Sequence, residues 1–67
     1  MGYQRTSIVR EKSEFSVRGS IIDIYLTDRE NPIRIDFFNN TIESIKEFDF
    51  LTQKTLFELN SEKIIIT

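Results

Sequence analysis

The stretch Glu14-Phe15-Ser16-Val17-Arg18-Gly19-Ser20-Ile21-Ile22-Asp23-Ile24-Tyr25-Leu26-Thr27 decides the fold. It is the longest strand candidate in the chain. On extended backbone Phe15 and Val17 point to one side, and Ser16 and Arg18 to the other. Past Gly19 the apolar series moves to Ile22, Ile24 and Leu26. Period-two alternation cannot slip by one residue without a local irregularity. A β-bulge at Gly19-Ser20 accounts for the slip, because glycine accepts the backbone angles a bulge requires. The alternative is a strand buried on both faces over its second half.

Downstream, Asn31-Pro32 opens a second strand, with Ile33, Ile35 and Phe37 on one side and Arg34, Asp36 and Phe38 on the other. Asn39-Asn40 follows at once. Asparagine tolerates positive φ, so this pair fits a two-residue hairpin turn. Thr41 to Phe50 then reads two ways. Ile42, Ile45 and Phe48 recur every third residue, as on a helix that Asn40 would cap. A returning strand is favoured, because the turn is short and the preceding strand needs a partner. Thr52-Gln53-Lys54 is a connection, and Thr55 to Leu59 and Lys63 to Ile66 are two further short strands.

Composition agrees with strands. The chain has no alanine, glycine only at Gly2 and Gly19, and a single proline, Pro32. Isoleucine, phenylalanine, threonine and tyrosine favour a pleated, half-buried surface. The predicted class is mainly β: a small antiparallel sheet or meander with a hairpin at Asn39-Asn40, a fragment of an α+β domain. Sixty-seven residues make one domain at most. A chain of this size buries only about 60% of the surface its unfolded form exposes, so its stability margin is thin.

The same composition limits the chemistry. With neither cysteine nor histidine, disulfides, thiolate metal sites and Ser-His or Cys-His catalysis are all excluded. Two isolated glycines cannot form a phosphate loop. Carboxylates are the only acid–base groups left, and Asp23 and Asp36 fall where they could be cross-strand neighbours. The simpler account pairs each of them with Arg18 or Arg34 on a polar sheet face. Nine Lys and Arg against eleven Asp and Glu give a net charge of −2, with the basic residues scattered, which gives nucleic-acid binding little support. No apolar run approaches the roughly 20 residues of a membrane span.

Arg18, Arg34 and Asp36 therefore form a candidate charged patch on one side of the sheet. Such a patch is either an ordinary solvated face or a docking surface on which arginine offers planar, bidentate contacts. Phe37-Phe38 carries a similar choice. Adjacent aromatics on a strand face opposite sides, so one joins the core and the other is either covered or exposed as an anchor for a partner. Tyr3 and Tyr25 are either buried with a satisfied hydroxyl or rim anchors.

Residues 14–25 closely resemble a segment of the bacterial transcription-repair coupling factors (Mfd). So do Pro32-Ile33-Arg34-Ile35-Asp36-Phe37-Phe38, Ile42-Glu43-Ser44-Ile45-Lys46-Glu47-Phe48-Asp49 and Thr52-Gln53-Lys54-Thr55-Leu56, with Gly2-Tyr3-Gln4-Arg5 at the start. The excision-repair protein UvrB has a similar domain, usually with a second arginine where this chain has Ser16. Asn39 stands where the family usually has glycine, and Leu26 where it usually has proline. The resemblance implies a non-catalytic domain that binds UvrA, the damage-recognition ATPase, and that needs no cofactor itself. It maps the family's contact arginines onto Arg5 and Arg18, with Arg34 and Asp36 in the same polar network. It also implies a bacterial cytoplasmic protein whose ATP-using motor domains lie outside these residues, and whose full length works with RNA polymerase and DNA. The alternatives are the equivalent UvrB domain, a structural spacer in a DNA-translocating motor, and direct nucleic-acid binding.

Overall fold

The computed structural model describes residues 2–59. Six strands form one sheet in chain order: β1 (Gln4–Arg5), β2 (Glu14–Arg18), β3 (Ile21–Ile24), β4 (Ile33–Phe38), β5 (Thr41–Phe48) and β6 (Thr55–Glu58). Strands β2 to β6 make an antiparallel meander, and β1 adds parallel to β2 at the edge. The mainly β class and the hairpin at Asn39-Asn40 are as predicted, and the parallel edge strand makes the sheet mixed. The strand candidate at Lys63 to Ile66 lies outside the described residues.

The bulged strand expected from Glu14 to Thr27 is instead two strands joined by a two-residue turn. Gly19 and Ser20 form that turn, with Gly19 at φ 57° and Arg18 opposite Ile21. The phase slip follows directly from this pairing. Val17 faces Ile22 and Phe15 faces Ile24, so odd-numbered apolar residues on β2 share a face with even-numbered ones on β3. A one-residue slip in the alternation is equally the mark of a bulge or of a hairpin with an even-numbered loop.

The second hairpin turns at Asn39-Asn40, with Asn39 at φ 58° and Phe38 opposite Thr41. The every-third spacing of Ile42 and Ile45 also has a β explanation. Asp36 pairs with Ser44 but Phe37 pairs with Ile42, so Glu43 is an extra residue on β5. That bulge returns Ile42 to the side carrying Ile45. Phe48, three residues beyond Ile45, points to the other side; the register shift between Glu47 and Phe48 places its extra residue, Leu56, on β6 and leaves the alternation of β5 intact.

One sheet face carries the apolar core of Leu26, Ile33, Ile35 and Ile45, with Tyr3, Ile24, Phe37 and Leu59 packed on it. Leu26 fills part of this core. The opposite face is covered at one end by the 6–13 loop, which buries Val9, and by the 49–54 turn, which brings Phe50 to within 5.9 Å of the Tyr25 ring. Tyr25 is buried and its hydroxyl donates to the Glu30 carbonyl. Glu47 ties the 27–32 loop to β5, accepting from Arg29 Nη2 at 3.4 Å and from Asn31 Nδ2 at 2.8 Å.

The turn into β2 is held by Glu14, whose Oε1 accepts the backbone N–H groups of Arg10 and Glu11 at 2.9 and 3.1 Å. These bonds favour the ionised form and hold the Glu14 carboxyl below the ordinary glutamate range.

Ile33 is fully buried, and Ile33→Ala should destabilise the chain by about 2–5 kcal/mol in urea melts. Leu51→Ala, at a side chain 79% exposed, should change stability by under about 0.5 kcal/mol. Glu14 has a lowered folded-state pKa, so its contribution is complete above the unfolded glutamate pKa and disappears as pH falls through the lower folded value. Glu14→Gln should flatten the pH dependence of stability in that acid window and leave it unchanged near neutrality. An unaltered acid limb in melts collected across the window would contradict this.

Candidate functional site

Cross-strand register places Ser16 and Arg18 of β2, Ile21 and Asp23 of β3, Arg34 and Asp36 of β4, and Ser44 and Lys46 of β5 on the face opposite the apolar core. Asp23 is the centre of this face. It is 1% exposed, and a carboxylate so deeply placed needs a bonded counter-charge. Arg34 provides it through two parallel bonds, Nε to Oδ1 at 2.7 Å and Nη2 to Oδ2 at 2.8 Å. This is the fork-to-carboxylate geometry that arginine makes and lysine cannot.

Two further contacts fix the Arg34 guanidinium. Its carbon lies 4.5 Å from the centroid of the buried Phe48 ring, a cation–π stack. Nη2 also reaches Gln53 Oε1 at 3.4 Å. Gln53 in turn donates to the carbonyls of Phe50 at 2.9 Å and Val9 at 3.4 Å, joining the two covering segments. The Arg34 side chain is 19% exposed. The hydrogen bonds to Asp23, helped by the charges of Asp23 and Asp36, hold its pKa above the ordinary guanidinium value. Arg34 is thus a permanent cation, and Nη1 makes no bond among the described residues.

Arg18 meets the same carboxylate differently. Its Nη2 stands 3.8 Å from Asp23 Oδ2, beyond hydrogen-bond distance, and its side chain is 61% exposed. Asp36 accepts from Ser44 Oγ at 3.2 Å. Phe38, next on this side of β4 after Asp36, is 65% exposed, whereas Phe37 packs on the core.

The structure therefore brings together Arg18, Arg34 and Asp36. It places Arg5 elsewhere: Arg5 lies beside Phe15 at the sheet edge, on the side of the apolar core. The simple pairing of Asp23 with an arginine holds, and Asp23 collects both Arg18 and Arg34. Asp36 pairs with Ser44 instead. Gln53 and Val9 escaped sequence reasoning. Gln53 gave no signal beyond its place in a connection, whereas Ile8-Val9 is an isolated apolar pair in a polar stretch, a pattern that could have marked a covering loop.

A family model described as the UvrB interaction domain matches residues 1–66. The chain is similar to the transcription-repair-coupling factor of Bacillus subtilis (strain 168), 42% identical over 64 residues, which is 96% of this chain and 5% of that protein. The protein of the same name from Staphylococcus aureus (strain NCTC 8325 / PS 47) is 48% identical over 67 residues, all of this chain and 6% of the relative. That of Myxococcus xanthus is 38% identical over 65 residues, 97% of this chain and 5% of the relative. The chain thus spans about one-twentieth of the length of the curated relatives it matches.

The two arginines should separate in stability measurements. Arg34→Ala leaves Asp23 buried with its bonded partner gone and should cost about 3–5 kcal/mol. Arg18→Ala removes a largely exposed ion pair and should cost under about 1 kcal/mol. Equal losses for the two variants in denaturant melts would refute this division.

Proposed function

The chain belongs to the UvrB interaction domain family, and from that membership we propose that it is a non-catalytic docking module that binds UvrA. In a full-length protein of the coupling-factor kind, the module would recruit UvrA to a stalled RNA polymerase in the bacterial cytoplasm. Contacts to the polymerase and DNA, and ATP use, would belong to parts outside these residues.

The observation that carries the proposal is the sharing of one sheet face by Arg18, the Nη1 edge of Arg34, Asp36 and an exposed Phe38. An exposed aromatic at the end of a strand whose same side carries charge of both signs has the composition of a protein-binding hot spot. A solvated sheet face has no need of a phenylalanine 65% exposed. With Arg18, Arg34 and Lys46 matched by Asp23, Asp36 and Glu58, the face also lacks the excess positive charge that phosphate backbones select.

Arg5 has a peripheral place in this proposal. From the edge of the other face it would meet only a partner that wraps around β1.

The test is a calorimetric titration of the chain with UvrA. Arg18→Glu should leave circular dichroism unchanged and weaken binding by about 2–5 kcal/mol, and Phe38→Ala should cost about 2 kcal/mol or more. Arg5→Ala should cost less than either. Unchanged affinity for Arg18→Glu and Phe38→Ala would overturn the docking face. A wild-type chain that ignores UvrA would favour a structural spacer, and steeply salt-dependent DNA affinity would favour nucleic-acid binding.

A further inference from the structure

We infer that Asp23, which does not reach the surface, is a positioning residue for the docking face, holding Arg34 as a fixed contact and Arg18 as a releasable one. The binding part of this inference rests on the UvrA-binding function proposed above; the positioning part stands on geometry alone.

The two arginines share one carboxylate on unequal terms. Arg34 takes both Asp23 oxygens at 2.7 and 2.8 Å, with Phe48 beneath its plane and Gln53 at its end. The Nε edge and Nη2 are thus committed internally, which leaves Nη1 as the group a partner can reach. Because bonds to Asp23 and packing on Phe48 set that direction before any partner arrives, little side-chain freedom remains to be lost on binding.

Arg18 lies 3.8 Å from an oxygen that Arg34 already satisfies. Moving Arg18 onto a carboxylate of the partner therefore does not strand Asp23, whose charge stays balanced by Arg34. The ligand chemistry that fits this arrangement is an acidic side chain meeting Arg18, beside an apolar surface meeting Phe38. Ser16, buried and directly opposite Asp23 on β2, leaves room for Asp23 and adds no competing charge.

The test uses the 67-residue chain in three forms: wild type, Asp23→Asn and Arg34→Lys. Binding to UvrA is read by calorimetry, and the arginine Nε–H signals by ¹H–¹⁵N spectroscopy. In the wild type the Arg34 Nε–H should exchange slowly with water and the Arg18 Nε–H rapidly. Asp23→Asn should accelerate exchange at Arg34 and weaken UvrA binding about tenfold or more, although residue 23 is too buried to touch UvrA. A purely structural Asp23 would lower the melting temperature and leave the affinity of the folded fraction unchanged. Arg34→Lys keeps a positive charge beside Asp23 but loses the fork, and should weaken binding to a similar degree. It decides the matter if Asp23→Asn does not fold.

Affinity within about twofold of wild type for a folded Asp23→Asn or for Arg34→Lys would overturn the inference. So would an Arg34 Nε–H whose exchange is unchanged by Asp23→Asn. A wild-type chain that does not bind UvrA would instead overturn the proposed function, and the exchange measurement would still judge the positioning role.

Discussion

A carboxylate 1% exposed in a domain this small has to be neutralised where it stands, because a buried unpaired charge costs more than the whole fold can spare. Asp23 is neutralised by a residue on the next strand, and that choice constrains much else. The fork from Arg34 ties β3 to β4 at one register, since a slip of one residue would carry Arg34 to the apolar side. The face of the guanidinium needs a ring, and Phe48 supplies it from β5. Its end needs an acceptor, and Gln53 supplies it from the turn that closes over the sheet. One ion pair thereby recruits three elements onto the side of the sheet away from the isoleucine core.

Burying an ion pair is a weak route to net stability, since desolvation cancels much of the attraction. Its value here lies in direction. The apolar core of Leu26, Ile33, Ile35 and Ile45 is non-directional and would tolerate small rearrangements. The Asp23–Arg34 fork does not, because both of its bonds lengthen if either strand moves.

Much of this was legible in the sequence, and the parts that were not share a physical cause. Alternation along β4 gave the correct side for Ile33, Ile35, Phe37, Arg34, Asp36 and Phe38, because a strand's period of two is set by its own backbone. The Asn39-Asn40 turn was legible because positive φ restricts residue type. The Gly19-Ser20 turn was misread, since local pattern cannot distinguish an extra residue within one strand from a reversal into a second. Only the pairing of Val17 with Ile22 decides it, and that contact is tertiary. The displacement of Arg5 to the other face was hidden for the same reason: it follows from β1 adding to β2 opposite Phe15. The bridge from Gln53 to Val9, 44 residues apart, leaves no local trace.

The geometry of β4 also explains why a small domain leaves a phenylalanine in solvent. Phe37 is needed in the core, so alternation forces Phe38 to the charged side. The turn begins at the next residue, so no further side chain of β4 can shade it. Arg34, Asp36 and Phe38 then stand at every second residue, a row about 13 Å long at the usual strand rise. A partner meeting this row meets a rigid strand with a fixed cation at one end and an aromatic anchor at the other. Arg18 sits two strands away, about 10 Å across the sheet at ordinary strand spacing. It is the adaptable member of the face because its counter-ion is already satisfied by Arg34. Rigidity along β4 and freedom on β2 thus have one origin, the unequal sharing of Asp23.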